Sequence, residues 1–342
     1  MAHRYPVHPS FPAQEGRVRI MRGHQATRRR AAVFVLGLVL VAFRTGTGVA
    51  AAPHQKSFAT PEAAVDALVA AMEAHDTHAL LAVLGSGAQP LISSGDAVAD
   101  REVRERLVHA YQEAHSLLKA DDKQAVLQIG KDDWPFPIPL VKSTAGWRFD
   151  TDAGKEEILD RRIGANELAT IQACLAYVDA QREYYQRDPD HDTLLEYARK
   201  FVSTPGKRDG LYWDTQPGED ESPLGPHFAD ARAHGYAMKG GPKPAPYHGY
   251  YYRILTRQGP AAAGGAYDYL VEHGKMMGGF ALVAYPAQYN NSGIMTFIVN
   301  HDGVVFEKDL GPATATIAHA MQAFNPDSTW KRVGADQPAS TN

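Results

Sequence analysis

The 342-residue sequence predicts an α+β protein, and three observations carry that prediction. Apolar residues recur at helical spacing over 61–72 and again over 166–186. Each of these stretches is followed by short runs rich in β-branched and aromatic residues between turn formers. Between two of the later runs, Asn300-His301-Asp302-Gly303 is a hairpin signal, because such a turn needs positive φ and glycine supplies it at little cost. Helices followed by antiparallel strands, twice over, make an N-terminal part at 57–160 and a C-terminal part at 161–333.

The first fifty residues differ from the rest. Arg28, Arg29 and Arg30 lead into a thirteen-residue apolar run at 31–43, short of the ~20 residues a membrane-spanning helix needs, and a small-residue run at 45–52 follows. This pattern predicts a signal peptide over 1–51, cut after Ala50, Ala51 or Ala52, and a periplasmic or secreted protein with no membrane anchor after cleavage. Met21 opens a more ordinary leader than Met1, and both starts stay open. Removing 1–51 takes eight arginines and one glutamate from 35 basic and 39 acidic side chains, leaving 27 against 38 and a net charge near −11. So acidic a chain repels phosphate backbones and anionic lipids, which argues against nucleic acid as a partner. Cys174 is the only cysteine, so the fold stands on its core without an internal disulfide.

In the N-terminal part, Thr60 is a cap, Pro61 suits the first helical position, and Val65, Leu68, Val69 and Met72 form one apolar stripe. Helices over 79–84 and 101–118 follow, then strands over 124–129, the proline-broken 134–142, and 146–150. The C-terminal part opens with the 166–186 helix, in which Leu168, Ile171, Leu175, Val178 and Tyr185 share a face and Cys174 lies among them. A helix over 193–201 is expected next. The glycine- and proline-rich stretch from 204 to about 248 is too long for an idle connection, and its Leu211, Tyr212, Trp213, Leu224, Phe228 and Tyr236 need somewhere to bury. Strands over 249–255, 266–270, 279–285, 294–299 and 304–307, a helix over 313–324 and a disordered tail at 334–342 complete the chain.

The opening Thr60-Pro-Glu-Ala-Ala-Val-Asp-Ala-Leu, Asp76 and the closing Gly146-Trp147-Arg148-Phe149 make the N-terminal part resemble the cone-shaped nuclear-transport-factor-2 and cystatin folds, which often enclose a ligand. The 165–185 helix and the later blocks Gly249-Tyr-Tyr-Tyr252, Phe280-Ala-Leu-Val-Ala-Tyr-Pro286 and Ser292-Gly-Ile-Met-Thr-Phe-Ile-Val299 resemble a type IV pilin or pseudopilin head, without the exposed apolar helix by which pilins polymerise. Across nearly the whole mature chain, Asp209-Gly-Leu-Tyr-Trp213, Glu221-Ser-Pro-Leu-Gly-Pro226, Pro246-Tyr-His-Gly-Tyr-Tyr251, Gly278-Gly-Phe-Ala-Leu-Val-Ala-Tyr-Pro286 and Lys308-Asp-Leu-Gly311 are similar to domain of unknown function 2950, a bacterial family of exported proteins. That resemblance implies export and no particular reaction.

No nucleophile elbow, zinc helix or phosphate-binding loop is present. Cys174 on an apolar helical face reads as an inert core thiol. His227, His234, His248, His273 and His301 lack metal-ligand spacing, whereas the acidic loop of Asp209, Asp214, Glu219, Asp220 and Glu221 offers oxygen ligands that calcium would accept. Tyr212, Trp213, Tyr247, Tyr250, Tyr251 and Tyr252 offer an aromatic platform, although alternation sends Tyr250 and Tyr252 to one face and Tyr251 to the other. The candidate binding residues are therefore Asp209, Trp213, Asp214, Glu221, His227, His248 and Tyr250. The expected function is a non-catalytic envelope protein, binding or structural, contacting a protein or cell-wall partner, with no cofactor required and calcium as a candidate ion. The alternative is an extracytoplasmic hydrolase with its site in the 204–248 loop.

Overall fold

The computed structural model describes residues 55–189, 193–216, 218–236 and 245–334, so the expected signal peptide and all of the expected tail beyond Gly334 lie outside it. The fold is α+β. Among the described residues no helix is long and apolar enough to cross a membrane.

Helix α1 (Pro61–Glu73) starts where the Thr60 hydroxyl accepts the Ala63 N–H at 3.1 Å, and it buries Ala64, Val65, Leu68, Ala71 and Met72 on one face. Asp76 caps α2 (Thr77–Leu84) through the Ala79 N–H. The short α3 (Gln89–Ile92) and then α4 (Ala97–Glu113) follow. The 101–118 expectation overshoots: Ala114 is extended, and Leu118 falls in strand β1 (His115–Asp121), 57% exposed, because pairing with β2 (Gln124–Ile129) claims that backbone. With β3 (Trp134–Pro135), β4 (Leu140–Ser143) and β5 (Gly146–Phe149), these strands form an antiparallel sheet in the order β1-β2-β4-β5, with β3 on β2. Leu80, Ile138, Leu140, Trp147 and Phe149 fill the space between this sheet and the helices.

Helix α5 (Thr151–Arg187) is 37 residues long, more than a turn-by-turn apolar count suggests, and it runs without a break through residue 160. Its inner face also differs from expectation. The buried residues of its second half are Thr170, Cys174, Tyr177, Val178, Ala180, Gln181 and Tyr184, while Leu168 is 67% and Leu175 36% exposed. The reason is pairing of polar groups: the Gln181 side chain accepts the Ala198 N–H at 2.8 Å and donates to the Ala198 carbonyl at 2.7 Å, so burying the amide costs little. That bond also explains why 193–201 is not helical. The segment is extended, with the Tyr197 N–H bonded to Met276 and the Leu211 and Tyr212 N–H groups bonded to Lys200 and Phe201.

Beyond α6 (Gly225–Ala233), strands β6 (Tyr250–Leu255), β9 (Ala281–Pro286), β10 (Met295–Asn300), β11 (Phe306–Asp309) and β12 (Lys331–Arg332) pair antiparallel in the order β12-β11-β10-β9-β6. The Asn300–Gly303 hairpin forms as expected, closed by the Gly303 N–H on the Asn300 carbonyl. The 266–270 run supplies only β8 (Tyr267–Asp268), which pairs with β7 (Arg257–Gln258) apart from the main sheet. Helix α7 (Thr314–Ala320) ends four residues before Phe324, whose backbone turns to bond Arg257 and Gly259. Tyr177, Tyr250, Tyr269, Phe280 and Phe297 make a second core between α5 and this sheet.

Candidate functional site

Along one side of α5, from its outer face to the edge of the second core, Ala169, Ala173, Ala176 and Ala180 recur at steps of four, three and four. Side chains this small leave a trough, and the elements opposite do not fill it. A groove of about 550 Å³ results, floored by these alanines with Gln172 and Leu175, and walled by Pro223, His227, Tyr247 and His248. Asp179 and Glu183 stand at its C-terminal end.

The far wall is held by a network the sequence does not advertise. Tyr247 and Tyr250 exchange both backbone hydrogen bonds, so His248 and Gly249 form a two-residue hairpin turn with successive positive φ of 50° and 74°. Glycine is required at 249, where a Cβ would stand 2.5 Å from the Asn166 amide nitrogen. A histidine at positive φ is strained and must be held in place. Buried Asp96 does this: one carboxylate oxygen caps α4 through Val98 and Ala99, and the other accepts the Tyr236 hydroxyl at 2.9 Å and the Gly249 N–H at 3.0 Å. The N-terminal helices thereby fix the turn that presents His248.

Burial pushes the His248 imidazole below its ordinary pKa; Asp96 and Asp230 pull the other way and His234 adds to the fall, and the ring stays neutral at neutral pH. Burial likewise raises the Tyr247 phenol, with Asp230 and Glu102 adding to it. Asp179 is loosely paired, with Arg182 at 3.7 Å, and its side chain is 81% exposed. Glu183 pairs with Arg187, whose guanidinium also donates to the Glu221 carbonyl. Among the described residues no lysine or arginine lines the groove, and neither does any serine, threonine or cysteine.

Of the residues singled out from sequence, the fold brings His227 and His248 to this groove and disperses the others. Asp209 is tied to Lys200 and Thr204; burial works to raise its pKa, but the Lys200 ammonium and the Thr204 N–H and hydroxyl outweigh this and bring it to about 2. Asp214 accepts the Tyr212 hydroxyl and pairs with Arg232. Glu221 is exposed on the approach to α6. Trp213 packs half-buried against the second core with the Arg208 guanidinium over its ring. Tyr250 is fully buried and donates to the Met295 carbonyl, a core role. Tyr212 stacks on Phe228 at 4.4 Å and Leu211 and Leu224 join the second core, so the apolar residues of the 204–248 stretch bury as their number demanded. Cys174 faces away from the groove into the core, where burial raises its thiol to about 12. Among the described residues, no three His, Cys, Asp or Glu side chains lie together as a metal ion would need. Sequence reasoning missed Asp96 and the alanines and expected Tyr236 only to bury; the four-three-four alanine spacing was the one signal that pointed to the groove.

A family model described as "Protein of unknown function (DUF2950)" matches residues 55–333, and the chain belongs to that family. No curated protein and no solved structure matches it.

Proposed function

For this member of the family, we propose a non-catalytic binding role in the bacterial envelope, with the groove along α5 as the place where a protein or cell-wall partner sits. The observation that carries the reading is the lining itself. An apolar floor edged by a few polar groups binds by excluding water and orienting its guest, and among the described residues this lining offers no serine, threonine, cysteine or lysine to attack one. Export is supported by the Arg28–Arg30 cluster, the short apolar run and the small residues after it. A long helix lying against an antiparallel sheet supports the likeness to a pilin head. The hydrolase alternative looks for a concave pocket gathering Asp209, Asp214, Glu221, His227 or His248, and this groove holds the two histidines and none of the three carboxylates.

Affinity capture from native envelope extract tests the reading when run in parallel with the mature protein and with Ala173→Trp, which fills the trough. One stoichiometric partner retained by the first and lost by the second is the expected result. Equal recovery by both, or by neither, rejects the groove as the binding site.

A further inference from the structure

The charges around the groove are one-sided. Among the described residues its lining holds two carboxylates, Asp179 and Glu183, and no lysine or arginine. The segment that supplies Pro223 and His227 carries Asp214, Glu219, Asp220, Glu221 and Asp230 without a single lysine or arginine between 214 and 231. The contact of Arg187 with the Glu221 carbonyl places this segment against the C-terminal end of the groove, where Glu183 stands. At the hairpin wall, Asp230 and Glu102 lie close enough to act on Tyr247. Among the described residues the cations beside these carboxylates are few: Arg187 answers Glu183, Arg232 answers Asp214, and Arg182 stands 3.7 Å from Asp179 in an exposed contact that water and salt weaken.

Alanines at four-three-four spacing let a guest backbone come close to α5, opposite Pro223, Tyr247 and His248. A neutral sugar would satisfy the few polar groups but would gain nothing from the exposed Asp179 carboxylate, and an anionic glycan or nucleic acid would be repelled.

We propose that the occupant of this groove is a cationic peptide segment of a partner protein, with small side chains against the α5 alanines and lysine or arginine side chains reaching Asp179 and Glu183. The proposal rests on the groove being the binding site, and it adds the chemical class of what binds.

The test uses the full mature protein and fluorescence anisotropy with two short labelled peptides of equal length, one alternating lysine with alanine and one alternating glutamate with alanine. The lysine peptide should bind about tenfold more tightly and lose that advantage as salt rises. The double variant Asp179→Asn/Glu183→Gln should weaken it about tenfold, while Glu219→Gln/Asp220→Asn, off the groove, should leave it within about twofold. Because Asp179 and Glu183 are at the surface, this pair keeps the test valid even where Ala173→Trp fails to fold. Equal binding of the two peptides overturns the proposal, and so does a loss that follows Glu219/Asp220 in place of Asp179/Glu183, which would mark unspecific attraction to an acidic loop. If Ala173→Trp still abolishes capture of the native partner while the lysine peptide shows no preference, the groove stands and the cationic assignment falls. If capture survives Ala173→Trp, both fall.

Discussion

The two cores of this protein are built from different materials. Between α1, α2 and the first sheet the buried residues are mostly aliphatic, with Ala64, Val65, Leu68, Leu80, Ile138 and Leu140 around one tryptophan and two phenylalanines. Between α5 and the second sheet, aliphatic residues share the core with tyrosines: Tyr177, Tyr184, Tyr250 and Tyr269 are fully buried together with the polar Thr170, Gln181, Gln258 and Thr296. An aliphatic core is held by area and volume, which many arrangements supply equally well. A tyrosine core must also place each hydroxyl on a partner, as Tyr250 does on Met295, Tyr184 on Arg208 and Tyr269 on Gln258, and a shifted register would strand those groups. The first core is therefore tolerant in detail, and the second specifies one arrangement.

The largest expected effect tests the first core. Leu68→Ala should cost about 3 kcal/mol, read from denaturant unfolding, while Leu68→Met should cost less than about 1.5 kcal/mol because volume is what matters there. A comparable loss from both would break the contrast. Next is Gln181→Leu, nearly the same volume but unable to serve Ala198 or Tyr177. It should cost about 2 kcal/mol, because the Ala198 N–H and carbonyl are left buried without their partner. A neutral outcome would show that the second core, too, is held by volume alone.

The smallest effect is a dependence on pH. Burial in the folded protein holds the His248 imidazole below the ordinary histidine value, so as pH falls the unfolded chain takes up the proton first. The stabilisation is complete above that ordinary value and is lost as pH falls below it. Melting temperature should therefore fall from about pH 7 towards about pH 5. His248→Asn should flatten that slope, since asparagine tolerates positive φ and does not titrate. Asp209, already held near a pKa of about 2, contributes to stability above the ordinary carboxylate range and loses that contribution only at much lower pH, so the two windows are separate.

Legibility followed locality. The Thr60-Pro61 start of α1, the β5 strand at Gly146-Trp147 and the Asn300–Gly303 hairpin were readable because a cap, an alternation or a turn is decided within a few residues. The inner face of α5 was not, because Leu168 and Leu175 look like core residues until Gln181 finds Ala198 in an extended segment seventeen positions on. The 193–201 stretch misled for the same reason: its backbone is claimed by Met276 and by Leu211 and Tyr212, which no local pattern shows.

By itself, the sequence determined the α+β class, the charge balance, the basic-then-apolar pattern of residues 28–43, the absence of an internal disulfide and the need of the 204–248 aromatics for a buried place, because these depend on composition and near-neighbour spacing. Only the tertiary structure decided which candidates meet. It put His227 and His248 on one groove, sent Tyr250 into the core, gave Asp209 and Asp214 private partners, and used Asp96 to hold a strained turn 153 positions away. The physical reason is that a hydrogen bond or a groove wall is set by distance in space, and residues far apart in the chain come within reach only once both cores have closed.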